Sequence, residues 1–141
     1  MTQNRNTRTF SIGETASFSK TITKADVETF GDLSGDRNPI HFDAEYAERT
    51  RFKKCISHGL LTTSLISTVI GMHLPGPGAI YLSQEVKFLK PVFIGDVVTA
   101  HAVVTAVNDE KRVLTLKTEC VNQHGVPVLI GEAKVLYEPV D

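Results

Sequence analysis

The chain has 141 residues, enough for one domain with a sizeable core. Its 15 basic and 16 acidic residues leave a formal charge of −1, and 41% of the residues are hydrophobic. That balance offers no basic excess to draw in nucleic acid or an anionic membrane surface. The most apolar stretch, Leu60–Ile70, is interrupted by five Ser/Thr residues and is too short to span a bilayer. Cys55 and Cys120 form neither a disulfide framework nor a metal-ligand spacing, so a reducing, cytoplasmic setting is expected. Met1–Thr9 is polar, lacks the apolar core of a signal peptide and is expected to fray. No repeat or linker divides the chain, so residues 1–141 are expected to form a single domain.

A first strand is expected near Ala16–Ile22, where Phe18 alternates with polar neighbours. Thr23-Lys24-Ala25-Asp26 reads as a helix N-cap with an acid three residues on, followed by Val27, Phe30 and Leu33 at helical spacing. Asp43 can cap a short second helix through Glu48. From Cys55 to Gln84 there is no Asp, Glu, Lys or Arg, and Leu60 to about Ile70 reads as a helix apolar on nearly all sides, hence buried. Gly71 and Pro75-Gly76-Pro77-Gly78 end it. Strands follow over Ile80–Leu89, Val97–Val107, Arg112–Val121 and Val128–Tyr137, with turns at Asn108-Asp109-Glu110 and Asn122–Gly125. About five antiparallel strands and one buried helix make an α+β domain.

The chemistry concentrates in Ser34-Gly35-Asp36-Arg37-Asn38-Pro39-Ile40-His41. Gly35 permits a sharp change of direction before the acid. Pro39 pushes Asn38 out of the helical region, so Asp36 and His41 cannot share one ordinary helix face. A stiff, bent loop presenting a carboxylate and an imidazole suits acid–base work, because imidazole exchanges protons near neutral pH. The same residue types also build turns with no catalysis at all.

Leu33 through His41, together with Ser57-His58-Gly59-Leu60-Leu61, Leu74-Pro75-Gly76 with Tyr81-Leu82, and Lys90-Pro91-Val92-Phe93-Ile94-Gly95-Asp96-Val97, resembles the MaoC-like (R)-specific enoyl-CoA hydratase family, also called hydratase 2. The resemblance spans roughly Phe18 to Tyr137 and implies a hot-dog fold, a sheet wrapped around one buried helix. It implies reversible addition of water to a trans-2-enoyl-CoA, giving an (R)-3-hydroxyacyl-CoA. Asp36 and His41 would be the catalytic pair, and Gly59 would supply a backbone N–H to the thioester oxygen. That role suits a glycine in the first turn of a helix, where N–H groups lack intrahelical partners. Ser67 would sit near the pair as a supporting polar residue, with Asn38 and His58 supporting the loop, and Ile70 could limit acyl length. Lys134 in the last strand is expected beside the pocket.

His58 is read first as a structural residue at a helix start, and Ser64, Ser67 and Thr68 as hydroxyls that can bond helix carbonyls. His73, His101 and His124 are read as surface residues, and Cys55 as a small buried one. No metal and no organic cofactor is expected, since Asp36, His41 and His58 match no ligand spacing. Two rival functions stay open: a 3-hydroxyacyl-[acyl carrier protein] dehydratase, which needs the same pair, and a non-catalytic acyl-CoA-binding module. A thioesterase fits less well, because the central helix carries no carboxylate. An acyl-CoA thioester is the expected partner, and the unpaired margin of an open sheet favours a homodimer.

Overall fold

A computed structural model describes residues 8–140. The start expected to fray lies mostly outside them, but Arg8 is held, its guanidinium donating to the Pro75 carbonyl at 2.7 Å and to Glu14 at 3.0 Å. The elements in chain order are β1 (Thr15–Thr21), α1 (Lys24–Ser34), α2 (Pro39–Phe42), α3 (Ala44–Glu48), α4 (Gly59–Met72), β2 (Ala79–Phe88), β3 (Val97–Asn108), β4 (Val113–Val121) and β5 (Pro127–Tyr137). Helix α1 begins with the expected capping box: the Asp26 N–H donates to the Thr23 hydroxyl and the Thr23 N–H to the Asp26 carboxylate.

The strands form one antiparallel sheet in the order β1-β3-β4-β5-β2. β3, β4 and β5 are a meander joined by the two short turns expected from the sequence. β2 instead crosses to the far edge and pairs with β5, so consecutive order in the chain is not order in the sheet. Alternation in β3 and β4 turns Val98, Ala100, Ala102, Val104, Leu114, Leu116 and Cys120 to one face. Leu65, Ile66, Val69 and Ile70 of α4 are buried with them in a single core. Burying each such side chain removes it from water for about 1.5–3 kcal/mol, which fixes the helix against the sheet. This is the hot-dog arrangement that the resemblance implies.

Two local expectations change. Helix α4 is not covered on nearly all sides: Leu60, Ser64, Ser67 and Met72 form an exposed stripe. The catalytic-type loop is also shorter than the sequence suggests, because Pro39 opens α2, a single turn that carries His41. Pro is well placed at that first helical position, where no N–H is needed, and Asn38 before it keeps extended angles (φ −53°, ψ 127°) as its proline neighbour demands.

Candidate active site

The Asp36–His41 segment is built from local hydrogen bonds. Gly35 closes α1 with φ +80°, a left-handed angle that costs glycine nothing, and its N–H donates to the Gly31 carbonyl. The Ser34 hydroxyl accepts from the Asp36 N–H at 3.1 Å. Asp36 Oδ1 accepts from the Asn38 N–H, and Asn38 Oδ1 from the Ile40 N–H, so two side-chain turns follow one another into α2. Asn38 is thus the N-cap of the turn that carries His41. Arg37 clamps this segment to α1, its guanidinium bonding Asp32 at 2.8 Å and Glu28 at 3.1 Å while lying 4.4 Å over the Phe42 ring.

His41 is oriented by a peptide group. Its Nδ1 lies 2.7 Å from the Ile56 carbonyl. A carbonyl only accepts, so Nδ1 carries the proton and Nε2 keeps its lone pair. The Ile56 N–H in turn donates to the Ile40 carbonyl, tying the two segments together in both directions. Burial pushes the His41 pKa below the ordinary imidazole value of 6.5, with the neighbouring His58 adding to the shift; the Ile56 carbonyl and the Asp36 carboxylate oppose it.

His58 is 2% exposed and boxed by rings: Phe30 at 4.7 Å, Phe42 at 5.6 Å and His41 at 3.9 Å between centroids. Its Nε2–H donates to the Asp36 carbonyl at 2.9 Å. The residue read from sequence as structural therefore holds the backbone of the acid itself. Its Nδ1 is buried with no hydrogen-bond partner among the described residues.

His58 is also the N-cap of α4, and its side chain makes no capping bond. The Gly59 N–H has no hydrogen-bond partner among the described residues, and Gly59 lines the cavity. A Cβ on Gly59 would come within 2.6 Å of the Phe88 ring, so only glycine lets that ring lie over the helix start.

One cavity of about 390 Å³ gathers Asp36, His41, His58 and Gly59, walled by Phe52, Phe88, Leu89, Val92 and Leu129. Thr62, one turn into α4, also lines it, with its hydroxyl buried and without a partner among the described residues. Sequence reading passed over Thr62 in favour of hydroxyls further along, although its position one turn after Gly59 was a usable signal. Ser67 and Ile70 do not reach this cavity. Ser67 is exposed and Ile70 is 1% exposed in the core. At 1.5 Å of rise per residue, the eight residues from Gly59 to Ser67 cover about 12 Å along the helix. Lys134 also points elsewhere, its ammonium 3.5 Å from the Thr115 hydroxyl.

Donor atoms of Asp36, His41 and His58 lie within 4.8 Å of one another and are the group among the described residues that could hold a metal ion. His41 Nδ1 and His58 Nε2 are already taken by carbonyls. What the set offers directly is acid–base chemistry: a carboxylate and a free imidazole nitrogen facing one space, beside unpartnered N–H groups at a helix start.

The sequence profile described as MaoC like domain matches residues 8–124. The (R)-specific enoyl-CoA hydratase of Rhodospirillum rubrum is 48% identical over 124 residues, covering 88% of this chain and 85% of that protein. The (R)-specific enoyl-CoA hydratase of Aeromonas caviae is 44% identical over 124 residues, covering 88% and 92%. A solved structure of an (R)-hydratase from A. caviae superposes with a TM-score of 0.89 at 42% identity, over 92% of this chain and 98% of that one. Alike in sequence over most of its length and alike in fold, the chain belongs to the MaoC-like domain family.

Proposed function

We propose that this protein is an (R)-specific enoyl-CoA hydratase, a hydro-lyase that adds water reversibly across the double bond of a trans-2-enoyl-CoA. The observation that carries the reading is the meeting of Asp36, His41 and Gly59 in the lining of one apolar-walled cavity, with donor atoms of Asp36 and His41 within 4.8 Å of each other. Identity of 48% to an enzyme of that name supports it.

Hydration needs a water activated at C3, a proton delivered to C2, and a donor for the oxygen on which charge gathers. Water seated between Asp36 and His41 Nε2 gives up a proton to this pair as its oxygen bonds to C3. The pair returns a proton to C2, so atoms and charge balance over the cycle. The lowered pKa of His41 keeps its imidazole neutral, and able to accept, at neutral pH. Charge that moves onto the thioester oxygen is met by the Gly59 N–H at the positive end of α4. Asn38 and His58 position His41 and Asp36, the first as N-cap of α2 and the second through the Asp36 carbonyl.

Pairing of two copies completes the reading. β2 is a free sheet edge bearing exposed Ile80, Tyr81, Leu82 and Phe88, and α4 keeps its exposed stripe. A homodimer would cover both surfaces, and a monomer at micromolar concentration in sedimentation equilibrium would count against it.

The decisive experiment follows the enoyl absorbance of crotonyl-CoA, with product detected by an R-specific dehydrogenase. Asp36→Asn and His41→Gln should each slow turnover by about 10²–10⁴-fold. Wild-type rates in both variants would remove the pair from the mechanism.

A further inference from the structure

Arg37 stands in the chain between Asp36 and the N-cap residue Asn38, and its side chain turns back onto α1. Glu28, Gly31 and Asp32 fall on one face of that helix by their spacing. The guanidinium forks across the two acids, Nη2 to Glu28 at 3.1 Å and Nη1 to Asp32 at 2.8 Å. The same planar group lies 4.4 Å over the Phe42 ring. Gly31 makes room for this layer, since a Cβ there would come 2.5 Å from Phe42 Cζ and 3.1 Å from Arg37 Nη1. Phe42 in turn meets both imidazoles, its ring centroid 6.1 Å from that of His41 and 5.6 Å from that of His58. A continuous series of contacts therefore runs from two surface acids, through Arg37 and Phe42, to the base and to the histidine that holds the Asp36 carbonyl.

Both ion pairs are well exposed, and such pairs contribute little to stability. Their effect on geometry is larger. Helix α2 is a single turn of four residues and cannot hold its own direction, whereas α1 has eleven residues and a capping box. We infer that Arg37 is a positioning residue for the hydration: by locking Phe42 against α1 it fixes the aim of His41 and the seat of His58. Charge, planarity and stacking are all used, so lysine is a poor substitute for arginine here. This rests on the hydratase reading and deepens it, adding a residue outside the cavity on which turnover depends.

The test follows crotonyl-CoA hydration by wild type, Arg37→Met, Arg37→Lys, Glu28→Gln/Asp32→Asn and the triple variant Glu28→Gln/Asp32→Asn/Arg37→Met, each checked by thermal melting. Met keeps an aliphatic stem beside Phe42 and removes the fork. Its kcat should fall about 10-fold while KM stays within about twofold, because aim is lost and the substrate's own contacts are not. Lys should recover part of that loss. Melting temperatures should stay within about 4 °C of wild type. Removing the two acids should cost as much as removing Arg37, and the triple variant no more than either, since the three groups act as one unit. Proton NMR of the His41 Nδ1–H, held by the Ile56 carbonyl, reads aim without turnover, and its exchange with water should quicken in every variant.

Wild-type kcat and wild-type exchange in Arg37→Met overturn the positioning role while leaving the hydratase reading intact. A kcat loss with unchanged exchange overturns the route through Phe42 and His41. Losses that add up across the triple variant, or that follow the melting temperature, overturn the clamp in favour of a merely structural role. Faster exchange in the variants, with no turnover by wild type, leaves the clamp standing and defeats the hydratase reading.

Discussion

Replacing His58 separates positioning from stability. In His58→Phe the aromatic box of Phe30, Phe42 and His41 keeps a ring of similar size, but the donor to the Asp36 carbonyl is gone. One hydrogen bond is worth about 1 kcal/mol net, and here the abandoned carbonyl belongs to a residue that water can reach. Against that loss, Phe removes the partnerless Nδ1, whose burial costs about 1–3 kcal/mol. The two terms oppose and leave about 0 to 2 kcal/mol in favour of Phe, so the melting temperature should hold or rise by up to about 7 °C. Activity should not be spared: an Asp36 backbone free to drift by about 1 Å costs up to about 10²-fold in turnover. His58→Gln keeps an amide donor at the position of Nε2 and should recover most of the rate. The Gln variant also removes the imidazole that helps to lower the His41 pKa, so the acid limb of its pH–rate profile should move to higher pH. Steady-state kinetics on crotonyl-CoA between pH 5 and 8, with thermal melts, read all three effects. Wild-type turnover in His58→Phe would refute positioning through the Asp36 carbonyl. Equal losses in the Phe and Gln variants would mean that the imidazole itself takes part in the chemistry.

Gly59→Ala should lower kcat/KM by about 10-fold or more with little change in melting temperature, since the added methyl meets the half-exposed Phe88 ring, which can swing away into the site; Gly59→Ala/Phe88→Ala should regain part of the rate, and no interaction between the two changes in kinetics would sink that geometry. Thr62→Val deletes a buried hydroxyl with no protein partner and should leave the fold as stable or up to about 1 kcal/mol more so by denaturant titration. A rise in KM of the same variant for crotonyl-CoA would show the hydroxyl bonding the substrate, and a clear loss of stability would show a partner the structure lacks. His41 has a folded pKa below its unfolded value of about 6.5. The unfolded chain therefore binds the proton first, and the stability this residue contributes is complete above pH 6.5 and lost as pH falls from there through the lowered folded value. Melting temperatures should drop over that window in wild type and drop less in His41→Gln; parallel curves would contradict the assignment.

How far the sequence speaks differs by scale. Alternation in β3 and β4 is legible because each apolar residue needs only its own strand's pleat to find the core: Val98, Ala100, Leu114 and Leu116 are all buried as their spacing demands. The capping box of α1 is legible for the same reason, since both partners lie within one turn. The position of β2 is not, because pairing Val86 with Gly131 and Phe88 with Leu129 depends on a crossover over three intervening strands. The α4 stripe misled in another way. Ser64 and Ser67 read as neutral toward burial, and only the position of the sheet decides that they face outward with Leu60. The resemblance places Ser67 near the pair, whereas the α4 hydroxyl in the cavity lining is that of Thr62, one turn from Gly59.

The candidate site shows why side-chain motifs carry only half of such a centre. Asp36 and His41 were evident as residue types, but what aims them is peptide chemistry: the Ile56 carbonyl fixes the His41 tautomer, the Asp36 carbonyl is gripped by His58, and the Gly59 amide is left open by a helix that caps itself poorly. Ile56 is placed by its bond to Ile40 and its bridge to Phe93, and Ser57 by the Val92 carbonyl at 2.7 Å. Any sequence that keeps those backbone bonds can vary the side chains at 56 and 92 among apolar residues of similar size. Pro at 56 would break the bond to Ile40, and a residue with a side chain at 59 would be pushed against Phe88. The chemistry is therefore anchored by a short stretch, Ile56-Ser57-His58-Gly59, whose main chain holds the base and opens α4 while its His58 side chain holds the acid's carbonyl. Short of proline, substitution leaves the backbone amide and carbonyl in place and changes only their position, which is why positioning variants around this stretch are sharper probes of the site than further changes to Asp36 and His41 themselves.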